Sequence, residues 1–182
     1  MNYFDVSLFA LVNAGEGTPA WQIHLAALVS NFLPAFMVLL LAVLALLEPQ
    51  RRRTLWVALL SLSVAWVLVH LIRHWMPMPR PAALDLGTQW LSQGVRSGFP
   101  SMHASGAFAV AAALLLERRD RWAFLFLLAA ASIAWSRVFL GLHFPTDVLV
   151  GSALGALIAT AVYGLMRRSQ RVAARRTRRA LP

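Results

Sequence analysis

The sequence predicts an all-α protein, a polytopic transmembrane bundle of five or six helices. Three observations lead there. The 182 residues are 59% hydrophobic and only 13% charged, too apolar for an ordinary soluble domain of this length. The apolar residues gather into long runs near the roughly 20 residues that a helix needs to cross the hydrocarbon layer. All 17 basic residues are arginine, and most fall in three clusters between those runs. The net charge of +10 therefore reads as membrane topology and not as nucleic-acid binding.

In chain order, Met1 to Ala14 is apolar but short and carries Asp5, so an interfacial or partly inserted helix is expected. Ile23 to Leu47 and Thr54 to Ile72 are each long enough to span. Ala104 to Leu116 and Trp122 to Ser136 are shorter uncharged runs, and Val148 to Met166 is again long enough to cross alone. Fifteen uncharged helical residues cover only about 22 Å of a core about 30 Å thick, so both short helices are expected to have recessed polar ends. A membrane domain over residues 1–166 is followed by a basic tail over 167–182. The opening residues lack the basic start of a cleavable secretory signal, so the chain is expected to stay whole. With no cysteine there is neither a disulfide framework nor thiolate chemistry.

Arg51 to Arg53, then Arg118, Arg119 and Arg121, then seven arginines from Arg167 to Arg179 assign thirteen positions to the cytoplasmic side. Arg73, Arg80, Arg96 and Arg137 fall at the opposite ends of the helices, with His103 and His143. That end is expected to face outward, toward the periplasm or cell exterior of a bacterial cytoplasmic membrane. Trp21, Trp75, Trp90 and Trp135 near it, and Trp56 and Trp122 near the other, read as interfacial anchors. Gly151 and Gly155 form a small-residue face for close helix packing, a packing device with little functional content.

Ionisable residues at membrane depth are costly and point to function. Arg73 and Arg80 flank the end of the second span, Ser101 and His103 open the third, Arg137 and His143 follow the fourth, and Asp147 begins the fifth. Three ordered groups emerge: Arg73, six residues, Arg80-Pro81; Pro100-Ser101-Met102-His103; and Ser136-Arg137, five residues, His143, three residues, Asp147. Over Arg73 to Asp147 the chain resembles the type 2 phosphatidic acid phosphatase family of membrane lipid phosphatases. More narrowly, it resembles the short bacterial undecaprenyl diphosphate phosphatases of the bacitracin-resistance type. The family has lysine at position 73 and glycine at position 102. Arg73 keeps the charge as a planar fork, and Met102 fits if its φ is negative.

The resemblance implies His143 as nucleophile, Asp147 as its orienter and His103 as general acid and base. The chemistry of the residue types agrees. A neutral imidazole can attack phosphorus to give a phosphohistidine, provided a partner fixes its tautomer. Arg73, Arg80 and Arg137 can take phosphate oxygens bidentately. Ser101 and the N–H groups of Met102 and His103, at a helix start, add an anion pocket. No metal or cofactor is expected, because these donors supply the positive field. The substrate is then a lipid phosphate held in the bilayer, with undecaprenyl diphosphate expected. Phosphatidylglycerol phosphate, phosphatidic acid and lipid A phosphate are the alternatives. A non-catalytic phospholipid binder or transporter would need the arginines but not both histidines and Asp147. His70 and His74, at i, i+4, could bind zinc but have no third ligand fixed by sequence. His24 gives no signal, and Asp85 and Arg96 read as solvated loop positions.

Overall fold

In the computed structural model, residues 3–93 and 97–179 are described, with side chains to 171; Arg96 lies outside the described residues. Among the described residues six α-helices follow one another: α1 (Tyr3–Val12), α2 (Ala20–Leu47), α3 (Arg52–Trp75), α4 (Met102–Glu117), α5 (Arg121–Phe139) and α6 (Pro145–Arg179). Single 3-10 turns occupy Pro49–Arg51 and Pro81–Leu84. Among the described residues, α2, α5 and the stretches Pro49–Trp75 and Pro145–Arg171 are long and apolar enough to cross a membrane.

Of the two runs expected to form short helices, only the first does: α4 has 16 residues, whereas α5 has 19 and can cross, which corrects that expectation. The α5 helix gains length at both ends. Asp120 caps its start by accepting from the Ala123 amide, and Arg137, the charge expected to end it, is carried inside its last turn with 1% exposure. With 10 residues α1 is too short to cross, and α6 continues without a break through position 167.

The centre of the bundle is α4, which packs against α2, α3, α5 and α6. Its small residues make that possible: Ala104, Ser105, Gly106, Ala107, Ala109 and Ala111 are all buried. The closest approach is to α6, where a Cβ on Gly155 would collide with the Ser105 carbonyl oxygen. The apolar core runs through Met37, Leu41, Val57, Ala58, Ala111 and Leu114, while Phe32, Phe36, Leu39, Trp66, Leu128 and Leu157 stay exposed on the outside. A bundle with an apolar exterior as well as an apolar core is built for lipid.

The arginine-rich end is tied by ion pairs. Arg51 is held by Asp120 at 2.6 Å and Glu48 at 2.9 Å, joining the turn before α3 to the turn before α5, and Arg53 meets Glu117 at 3.0 Å, joining α3 to the end of α4. At the other end Trp90 departs from the anchoring expectation. It is half-buried, packs near Ala26, Leu140 and Leu142, and donates its indole N–H to the Ala14 carbonyl at 2.8 Å.

Because backbone must move to admit a methyl group at Gly155, Gly155→Ala is expected to cost about 1–3 kcal/mol by overpacking. Gly164→Ala, in the same helix with nothing within 4 Å of the new Cβ, is expected to be neutral or stabilising. Unfolding of both variants in detergent checks this; equal stability of the two would contradict the close packing of α4 on α6.

Candidate active site

The third sequence group folds as one device. α5 ends in a Schellman turn: Gly141 adopts φ +74°, its N–H donates to Val138 O at 3.0 Å, and Leu142 N–H donates to Arg137 O at 3.0 Å. His143 follows that turn directly. Pro145 then starts α6, where its missing N–H costs nothing. Asp147, at the third position of the helix, reaches back with Oδ2 to accept from the Phe144 amide at 3.0 Å and from His143 Nδ1 at 3.2 Å. The five-residue and three-residue spacings are thus a helix end, a turn and a helix start.

His143 is 1% exposed in the connection between α5 and α6. Burial, and then the guanidiniums of Arg137, Arg80 and Arg73, push its imidazole well below the usual histidine range, so the ring is neutral at physiological pH. Donation from Nδ1 to Asp147 leaves the Nε2 lone pair available. Gly98 closes over this pair: a Cβ there would stand 3.3 Å from Asp147 Oδ2 and 3.0 Å from Arg80 Cγ.

The first two groups arrive from other segments. Arg80 sits between two prolines, which forces an extended backbone (φ −83°, ψ 163°), and its Nη1 donates to Gln93 Oε1 and to Leu142 O. Arg73, in the last turn of α3, spends Nε and Nη2 on the Pro100 carbonyl at 3.2 and 2.8 Å, which holds the turn before Ser101. Arg137 Nη1 donates to Ser30 Oγ on α2, and its Nε is buried with no partner.

Ser101 precedes α4 and does not cap it with its side chain. Its hydroxyl is buried without a hydrogen-bond partner, a state that costs about 1–3 kcal/mol and that a bound anion would relieve. Its backbone N–H donates to the Asp147 carbonyl at 2.9 Å. That approach depends on Gly151, where a Cβ would meet Ser101 O at 2.6 Å. The glycine face read as a packing device therefore also joins the second sequence group to the third.

Met102 is the first residue of α4 and has no positive φ, so the side chain is accommodated. It and His103 line an apolar groove of about 280 Å³ between α2, α3 and α4, with Pro34, Val38, Leu62 and Gly106.

The structure therefore brings His103, His143, Asp147, Arg73, Arg80, Ser101, Met102 and Arg137 to one end of the bundle. His70 and His74 do not join them. Both are exposed, His70 Nδ1 bonds the Trp66 carbonyl at 2.7 Å, and among the described residues no cluster of three metal-ligating side chains forms. His24 and Asp85 are also exposed, Asp85 in a left-handed turn. Sequence reasoning missed Ser30, Gln93 and the pairing of Asp5 with Thr146. Ser30 carried a signal, as a polar residue inside a long apolar run. Gln93 carried none.

Comparison with known proteins places this geometry. The chain is 35% identical over 158 residues to the candidate undecaprenyl-diphosphatase YbjG of Escherichia coli, covering 84% of this chain and 78% of that protein. It is 33% identical over 129 residues to the decaprenylphosphoryl-5-phosphoribose phosphatase of Mycobacterium tuberculosis, covering 68% of each. The crystal structure of Aquifex aeolicus LpxE matches with TM-score 0.74 at 25% identity, over 90% of this chain and 96% of that one. The PAP2 superfamily model matches residues 54–171, the stretch that holds all three sequence groups, and the chain belongs to that family of membrane lipid phosphatases.

Proposed function

We propose that the chain hydrolyses a membrane isoprenyl diphosphate, undecaprenyl diphosphate to its monophosphate, through a phosphohistidine on His143. The observation that carries this reading is the buried His143 Nδ1 to Asp147 Oδ2 contact at 3.2 Å. His143 Nε2 attacks the terminal phosphorus as the bond from phosphorus to the leaving oxygen breaks, and His103 protonates that oxygen. Water then attacks the phosphohistidine, His103 takes its proton, and inorganic phosphate leaves. Arg80, Arg137 and Arg73, with the Ser101 hydroxyl and the amides of Met102 and His103, neutralise the transferred group and the leaving phosphate.

The isoprenyl part of the reading rests on three supports. The groove beside His103 is apolar and large enough for the first part of a lipid chain. Arginines in excess of a single monoester's need suit a diphosphate. YbjG and the mycobacterial phosphatase both carry names that refer to polyprenyl carriers. The site would face the periplasm or cell exterior of a bacterial cytoplasmic membrane, where thirteen arginines hold the other end inside.

His143→Ala is expected to abolish turnover with lipid binding retained, and His103→Ala to slow turnover by roughly 10²-fold or more while a phosphoenzyme accumulates. Quenching with ³²P-labelled substrate reads both; normal turnover by His143→Ala would sink the mechanism. In side-by-side assays, undecaprenyl diphosphate is expected to give the highest kcat/KM. A tenfold win by phosphatidylglycerol phosphate or lipid A phosphate, about 1.4 kcal/mol of transition-state binding, would remove this substrate and leave the family. A single cysteine at position 119 is expected to be shielded from an impermeant thiol reagent in intact cells, and one at position 85 to be labelled. The reverse pattern would invert the orientation.

A further inference from the structure

The geometry points to Asp5 as a positioning residue for the reaction: a carboxylate on α1 that caps α6 from outside and so keeps Asp147 on the imidazole. α6 opens with Pro145, which has no N–H, after Phe144, whose side chain accepts nothing. The first helical N–H is that of Thr146. Asp5 Oδ1 accepts it at 3.0 Å, and Thr146 Oγ1 donates to Asp5 Oδ2 at 2.6 Å. Helix starts usually receive such an acceptor from their own N-cap residue. Here it comes from 141 residues away, from an aspartate only 6% exposed.

The consequence falls on the next residue. A carboxylate in the first turn of a helix is attracted to the unpaired amides there. With Asp5 on the Thr146 amide, Asp147 Oδ2 is left for the Phe144 amide and His143 Nδ1. Without the Asp5 carboxylate, the Thr146 amide would lack its partner, with the Asp147 carboxylate one residue away. A cavity of about 510 Å³ adjoins Asp5, Thr146 and Asp147, between Met78, Phe99 and Phe144, so on that side hydrogen bonds and not packing hold the Asp147 side chain.

The rest of α1 is anchored independently of this cap. The buried Phe9 ring stands edge-on to Phe144 with centroids 5.4 Å apart. Asn13 Nδ2 donates to Thr88 O at 3.0 Å and Phe139 O at 3.1 Å, and Asn13 Oδ1 accepts from Thr88 N at 2.7 Å. A substitution at Asp5 therefore removes the cap and leaves the helix docked.

The role rests on the pairing of His143 with Asp147 set out above, and the two are tested apart. In the full chain in detergent or nanodiscs, with the best lipid of the substrate panel, Asp5→Ala is expected to lower kcat about tenfold with KM within about twofold. Asp5→Asn, whose amide oxygen can still accept the Thr146 N–H, is expected to restore kcat to within about threefold of the parent. Thr146→Val keeps the amide and loses only the hydroxyl bond, so it carries the test if Asp5→Ala does not fold: kcat falls about threefold at unchanged KM. Parent kcat in folded Asp5→Ala or Thr146→Val, a rise in KM alone, or folded Asp5→Asn as slow as Asp5→Ala would each overturn the proposal. If His143→Ala turns over normally, the nucleophile assignment falls on its own. If it is inactive while folded Asp5→Ala runs at the parent rate, only the positioning role is lost.

Discussion

Asp147 is the point at which three segments meet, and the rest of the site depends on its bonds. Its Oδ2 accepts from the His143 ring and the Phe144 amide, and its carbonyl accepts the Ser101 amide. A carboxylate buried to 4% exposure needs such partners, because a buried charge without them costs several kcal/mol. The arginines around it meet the same requirement from the other side. Arg137 is 1% exposed and still leaves its Nε buried without a partner.

Close helix contact is what lets these groups share one space. α4 approaches α6 over Gly151 and Gly155, and a side chain at either would strike the backbone at Ser101 or Ser105. The stripe of small residues thus sets the separation between Ser101 before α4 and the histidine before α6. Packing and chemistry are the same feature seen at two ends of one helix pair.

The two ends of the bundle are charged in different ways. At the arginine-rich end, Arg51 and Arg53 are matched by Glu48, Asp120 and Glu117, so those charges are spent on structure. At the site end, Arg73, Arg80 and Arg137 bond mostly to carbonyl, amide and hydroxyl oxygens, which orient them without cancelling their charge. A site that must attract a phosphate needs positive field left over, and neutral acceptors leave it.

The sequence by itself determined the apolar runs, the segregation of arginines and the three spaced groups, because each depends on local composition or on residues within one turn. Gly141 and Pro145 even carry the helix end and restart that set the spacing of Arg137, His143 and Asp147. The length of α5 was not legible, since whether a helix continues through Arg137 depends on a hydroxyl supplied by Ser30, 107 residues away. The contact of the first helix with the last was hidden for the same reason: the partner of Asp5 is Thr146, and no local pattern links them. Tertiary structure decided these points because a charge in an apolar setting is stable only where its partners happen to be delivered, and delivery is a property of the fold.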